Sequence, residues 1–496
     1  MRARFFLLGG WLILVAALSV RAAPQTPPGV AREFRAAWIA TVGNINFPSQ
    51  PGLSVETLQQ EIRSLMETAE RLRLNAVIFQ VRPACDAIYS SEIEPWSYYL
   101  SGDNPAGIPR SFDPLTYAIE QAHARGLELH AWFNPYRAAL LPRRNNSPKH
   151  VLQKHPEWVR RFGNNLWLDP GLADVQDYVA GVILDVVRRY DIDGVHLDDY
   201  FYPYPERAPG GPPLEFPDQL TYEVYRSKGG ALSRDDWRRA NVNSLVRRMK
   251  GLIQGAKPWV KFGISPFGIW RPGNPGPVRG MDAYASVYAD SRLWLQQGWV
   301  DYLSPQLYWG FDSPNQDFAL LLRWWSGQST AGRYVWPGLN AVKVGKVWKR
   351  SEILKQIALT RSLTRQSGAI FWNIGSLRAR ETGLAAGLAQ GPYAAPAVVP
   401  TFPWLGGDKP AVPKILFTEA QAGRWLLHWT DAMGSTPARW IVQSLRGGRW
   451  TTEILPAQEV NRVYAGRQQL PEVVAVSAMD RRGNISSPFI QSTRFR

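Results

Sequence analysis

The sequence predicts an α/β protein: a (β/α)8 TIM barrel followed by a small C-terminal β-sandwich. Three observations carry that prediction. Eight short β-rich runs alternate with amphipathic helical stretches between Phe34 and Ile374, as in a parallel sheet with crossover helices. Polar and aromatic residues gather where those runs finish, at the end of such a barrel that carries function. Beyond Gly391 a proline-rich stretch gives way to short alternating strands, the pattern of a sandwich.

In chain order, the first element is a leader. Arg2 and Arg4 precede an apolar run from Phe5 to Val20, and the small residues around Ala22 offer a cleavage site. Residues 1–22 therefore read as a secretory signal peptide, and the run is short for a membrane span, so no transmembrane anchor is expected after cleavage. The barrel follows over 32–391. Its strand runs are Phe34–Val42, Asn75–Val81, Leu127–Asn134, Gly194–Asp199, Lys261–Phe267, Asp301–Tyr308, Tyr334–Asn340 and Ala369–Ile374. The clearest helix is Ser54–Leu72, with Leu58, Ile62, Leu65 and Ala69 on one face and Ser54 as N-cap. Further helices are expected at Leu115–Arg125, Val175–Tyr190, Asp235–Gly255, Ser291–Gln297 and Ser351–Gln366. A doubly wound sheet would want a glycine-rich phosphate loop after the first strand, and Ala40-Thr41-Val42-Gly43-Asn44 is not one. Residues 392–413 read as a Pro-rich linker and 414–496 as the β-sandwich, whose ending resembles a fibronectin type III module.

Composition narrows the chemistry. A single cysteine, Cys85, excludes a disulfide framework and any multi-thiolate metal site. Six histidines without an H-E-x-x-H pair argue against a zinc protease, and no metal or other cofactor is expected. Lys+Arg 57 against Asp+Glu 41 gives a net charge of +16, which becomes +13 without Arg2, Arg4 and Arg21. With 22 tryptophans, this suggests a basic, aromatic surface for a long, polar, anionic ligand.

Side chains on a strand alternate between the barrel interior and the helix layer. If Val195 and Leu197 face the helices, His196 and Asp198 point inward; the same parity sends Gln80, Arg82, His130, Trp132, Asn134, Gln306 and Tyr308 inward, with Trp372 and Asn373 at the rim. Trp38, Trp96, Tyr136, Tyr200, Tyr202, Trp270 and Trp309 offer flat faces for pyranose rings. Glycoside cleavage needs two carboxyl groups. Asp198 is the choice for nucleophile or base. Its partner is left among Asp199, Asp86, Glu206, Glu215 and Asp218. A divalent cation held by the Asp pair with Asp86 is a lesser alternative.

Several long motifs occur in order: Phe34-Arg35-Ala36-Ala37-Trp38-Ile39, Gln80-Val81-Arg82-Pro83-Ala84-Cys85-Asp86, His130-Ala131-Trp132-Phe133-Asn134-Pro135-Tyr136-Arg137 and Asp193-Gly194-Val195-His196-Leu197-Asp198-Asp199-Tyr200. Gly263-Ile264-Ser265-Pro266-Phe267-Gly268-Ile269-Trp270-Arg271 and Asp301-Tyr302-Leu303-Ser304-Pro305-Gln306-Leu307-Tyr308-Trp309 continue the series. Together they resemble the glycosyl hydrolase-like 10 family, which includes a divisome-localised glycosyl hydrolase of Gram-negative bacteria. The resemblance implies a periplasmic TIM-barrel glycosidase acting on peptidoglycan glycan strands, particularly those stripped of stem peptides. It adds Arg271 to the substrate-binding candidates. One departure is Cys85, which stands where the family has glycine. The partner implied is a glycan, not a nucleic acid. The C-terminal module is a spacer by default, with envelope or divisome proteins as its alternative contacts. The rival to an enzyme is a non-catalytic glycan-binding envelope protein.

Overall fold

The computed structural model describes residues 26–493, except 105–106, 110, 209, 364–366, 420–422 and 432–436. The expected signal peptide lies outside the described residues. The first strands are β1 (Phe34–Ile39), β2 (Ala76–Arg82) and β3 (Glu128–Phe133). An insertion follows: β4 (Arg137–Leu140), β5 (Val159–Phe162) and β6 (Asn165–Leu168) form a separate antiparallel sheet of order β4-β6-β5. The main sheet resumes with β7 (Gly194–Leu197), β8 (Lys261–Ile264), β9 (Tyr302–Leu303), β10 (Tyr334–Val335), β11 (Gly338–Asn340) and β12 (Gly368–Trp372). Its nine parallel strands run in the order β10-β9-β8-β7-β3-β2-β1-β12-β11. β10 and β11 stand at opposite ends of that order, yet only Trp336 and Pro337 separate them in the chain. The sheet therefore curls round until its edges adjoin, and every expected strand run contributes to this barrel-like layer.

The two faces of the sheet separate by parity. Val77, Phe79, Val81, Leu129, Ala131, Phe133, Val195 and Leu197 pack in the helix-facing core. Ala36, Trp38, Ala76, Ile78, Trp132 and Tyr302 fill the enclosed side. The helix Val55–Arg71 buries Leu58, Ile62, Leu65 and Ala69 against the outer face, each worth about 1.5–3 kcal/mol for the large side chains. Its start is fixed by Ser54, whose hydroxyl accepts from the Thr57 amide. The helices Pro114–His123, Ala173–Arg189, Arg234–Ala256, Ser291–Gln296 and Arg350–Leu363 lie close to their expected positions, while Gln219–Ser227 and Phe318–Gly327 are additional. Among the described residues, no helix is long and apolar enough to cross a membrane.

The C-terminal region contains β13 (Lys414–Glu419), β14 (Trp425–Thr430), β15 (Arg439–Arg446), β16 (Arg449–Pro456), β17 (Asn461–Tyr464), β18 (Val473–Met479) and β19 (Phe489–Ser492). They form two antiparallel sheets, β13-β14-β17 and β16-β15-β18-β19, around Leu427, Trp429, Trp440, Val442, Val474 and Val476. This region docks on the N-terminal ends of the main strands. Arg481 pairs with Asp193 just before β7 at 2.9 Å, and Lys261 at the start of β8 donates to the Arg481 carbonyl at 2.8 Å. The segment 392–413 is not a loose tether: Val398, Val399, Phe402 and Leu405 are buried in the same cluster as Phe34, Ala36 and Met479. Trp404 Nε1 donates to Asp301 at 2.6 Å. Apolar spacing inside a proline-rich stretch gives it a packing role that its composition conceals.

Candidate active site

Strand β7 ends at Leu197, so Asp198 and Asp199 lie just past regular alternation. Both side chains find partners at the C-terminal end of the sheet, and both are buried, 3% and 2% exposed. Trp132 Nε1 donates to Asp198 Oδ2 at 3.2 Å, Asn134 Nδ2 donates to the same oxygen, and the Tyr200 amide donates to Oδ1 at 3.3 Å. Asn134 is itself oriented by Gln80, whose Oε1 accepts from the amides of Thr41 and Val42, each at 2.8 Å. The Tyr204 hydroxyl donates to Asp199 Oδ2. Burial, then the neighbouring Asp199, pushes the Asp198 carboxyl up to about 7. Asp199 is also raised, chiefly by burial, with the Tyr204 hydroxyl working against the rise.

Beneath the pair runs a closed polar chain. The Trp38 indole can only donate, so His196 Nε2 accepts from it at 3.2 Å and Nδ1–H faces the Tyr302 hydroxyl at 3.0 Å. That hydroxyl donates to His130 Nδ1 at 2.9 Å, and His130 Nε2–H donates to Glu128 at 3.1 Å. Lys261 holds Glu128 at 2.6 Å. Burial drives the His196 pKa well below the usual histidine range, so the ring is neutral. Gly194 makes this packing possible, since a Cβ there would lie 2.5 Å from the His130 ring. Both histidines face inward as expected, but they are fully buried and engaged with protein groups. They brace the floor of the site.

Other expected residues are likewise redirected. Arg82 is enclosed: Glu94 takes its Nε and Nη2 at 2.6–3.0 Å, and Nη1 donates to the carbonyls of Asn134 and Pro135. It fixes the chain at the end of β3. Asp86 turns into its own loop, accepting from the Tyr98 amide at 2.9 Å and from Asn145 Nδ2 at 3.5 Å. Among the described residues no hydrogen bond joins it to the Asp pair. Burial raises it to about 7 as well. The preceding Cys85 adopts φ 51°, the left-handed region that favours glycine, and burial pushes its thiol to about 12. Tyr136 is fully buried in the helix-facing core. Asp218 and Glu215 are held by Arg238 at 2.7 and 2.6 Å. Trp270 stacks on Trp324 and donates to Asp290, while Arg271 lies over Tyr284 beside Asp282. Their contacts belong to a cluster apart from the carboxyl pair.

The structure does bring together an aromatic rim. Trp38, Trp132 and the half-buried Trp372 meet with centroids 6.2 and 6.3 Å apart along Trp38–Trp372 and Trp132–Trp372. Tyr204, Phe267 and Trp309 continue it edge to face away from Asp199. Gln306, whose amide donates to the Ser265 carbonyl at 3.0 Å, and Tyr308 are half-buried groups close to Asp199. Beside Tyr200 and Tyr204 opens a cavity of about 510 Å3, also lined by Arg137, Asn165, Trp167 and Glu206. Glu206 accepts from Asn165 there at 3.0 Å. Arg137, Asn165, Trp167 and Tyr204 were not singled out from sequence. The signal that could have found three of them is the short β-hairpin around Gly163-Asn164, which folds the insertion over the site.

Two buried carboxyls at the strand ends of a curled parallel sheet, beside indole faces, make this a glycosidase-type site. The family model for glycosyl hydrolase-like 10 matches residues 33–353, and the chain belongs to that family. It is 41% identical over 409 residues to Glycosyl hydrolase YngK of Bacillus subtilis (strain 168), covering 80% of this chain and 79% of that protein. It is 34% identical over 403 residues to Glycosyl hydrolase DigH of Escherichia coli (strain K12), covering 74% and 89%. Among solved structures, the PgaB (BpsB) glycoside hydrolase domain from Bordetella bronchiseptica aligns over 72% of this chain and 98% of its own, with 11% identity and a TM-score of 0.47.

Proposed function

We propose that this protein is an exported, periplasmic glycoside hydrolase that cuts the O-glycosidic bonds of peptidoglycan glycan strands bare of stem peptides. The curled sheet acts as a TIM barrel, and the C-terminal sheets serve as a fibronectin type III-like brace. The observation that carries the reading is the Asp198–Asp199 pair: two buried carboxyls whose environments differ, as acid and base chemistry at one pH requires. Asp198, raised to about 7, keeps a proton near neutral pH and donates it to the leaving glycosidic oxygen. Asp199 holds the negative charge under the Tyr204 hydroxyl and acts on the anomeric carbon, directly or through water. This exchanges the anionic role first given to Asp198. The half-buried Trp372, Tyr204, Phe267 and Trp309 supply faces for sugar rings, and the basic surface suits a polyanionic strand.

The test is incubation of the purified protein with peptide-free glycan strands while new reducing ends are counted. Wild type is expected to produce them, and Asp198→Asn and Asp199→Asn to bind strands without cutting. Binding by wild type with no product would instead make the protein a glycan-binding module.

A further inference from the structure

Five arginines are buried among the described residues: Arg35, Arg82, Arg137, Arg238 and Arg439. Four sit against carboxylates, namely Glu33, Glu94, Asp218 and Glu128. Arg137, 7% exposed at the start of β4, makes no ion pair among the described residues. Its guanidinium lies 4.3 Å over the Tyr200 ring and 5.8 Å from Trp167, at the wall of the cavity beside the carboxyl pair. The charges it feels are those of Asp198 and Asp199, which it draws down without a direct ion pair, and a fork of donors over a tyrosine face matches a planar carboxylate. Asn165 adds a polar amide to the same cavity, whose size suits a small-molecule subsite.

We propose that Arg137 is a specificity-determining residue that pairs with a carboxylate carried by the sugar next to the cleaved bond. This rests on the hydrolase reading and names the substrate feature read by that site: a sugar ether bearing a free acid, such as the lactyl group of a muramic residue. An attached stem peptide turns that acid into an amide and removes the charge. The preference for bare strands then follows from one ion pair.

The test compares peptide-free strands with the same strands after their carboxyls have been converted to primary amides. Wild type should favour the intact strands about tenfold in kcat/KM, the order expected for a charge-assisted bidentate contact. Arg137→Gln should bring that ratio toward one, and Arg137→Lys should restore part of it. A wild-type ratio of one, or an Arg137→Gln ratio equal to that of wild type, overturns the proposal while leaving the hydrolase reading intact. If Arg137→Gln fails to fold, the wild-type ratio decides alone. If wild type cuts neither strand, the hydrolase reading fails, and the same ratio taken from binding affinities decides the carboxylate contact.

Discussion

Trp132→Phe isolates the acid role of Asp198. The substitution keeps an aromatic ring beside Trp372 but removes the Nε1–H that donates to Asp198 Oδ2 at 3.2 Å. A hydrogen bond to a charged acceptor is worth about 1.5–3 kcal/mol. At about 1.4 kcal/mol per pK unit, its loss corresponds to roughly one to two units. The donor favours the ionised carboxylate, so removing it raises the pKa above about 7. Asn134 still donates to the same oxygen, which holds the shift near the lower figure of about one unit. As the proton donor, Asp198 then stays protonated to higher pH, and the alkaline limb of kcat/KM against pH moves up. The assay is initial rates on peptide-free strands from pH 5 to 10, with folding checked by melting at each end. An unmoved alkaline limb would refute the reasoning. A shift confined to the acid limb would show that Asp198 works as the anion.

Tyr204→Phe should move the opposite limb: losing its donor raises Asp199, so activity fails at a higher pH on the acid side, read from the same profile. Asp86→Asn should keep activity within a few-fold, because Asp86 is joined to its own loop, and rates on glycan strands check this. The same variant should gain stability at alkaline pH. Asp86 is raised from 3.8 to about 7, so the folded state binds more protons across that window and loses stability as pH rises through it. The gain should be absent below about pH 4 and reach roughly 2–4 kcal/mol above pH 7, measured by urea unfolding. Glu94→Gln strands the enclosed Arg82 and should cost about 3–5 kcal/mol in the same measurement, with a small loss indicating a solvated guanidinium.

Much of the frame was legible because each main strand is short, apolar on its helix side and bounded by helices. Parity correctly sent Gln80, His130, His196 and Asn134 inward. It could not give depth. His130 and His196 occupy the layer under the mouth, where Tyr302 and Glu128 engage them, while Trp132 and Asn134, at the end of β3, reach the carboxyl pair. Strict alternation would turn Asp199 away from Asp198, since adjacent residues on a strand diverge. The strand stops at Leu197, and beyond it the turn lets both carboxyls face partners at the same end. The partners that hold Arg82 and Asp86 were hidden for another reason: Glu94 and Asn145 lie in loops and Tyr98 opens the four-residue helix Tyr98–Ser101, and no periodicity encodes the paths that bring them there. The insertion β4–β6 was missed because its strands are only four residues long and mix polar with apolar positions.

The placement of the C-terminal sheets has a consequence for a threadlike substrate. Together with Phe402 and Trp404 of the segment before them, they cover the strand starts through Arg481, while Asp198 and Asp199 stand at the strand finishes. On the proposed reading, a polymer lying over those carboxyls would sit at the end of the sheet opposite that module. The module would then leave the interior of such a chain, and not only its tips, within reach of Asp198 and Asp199.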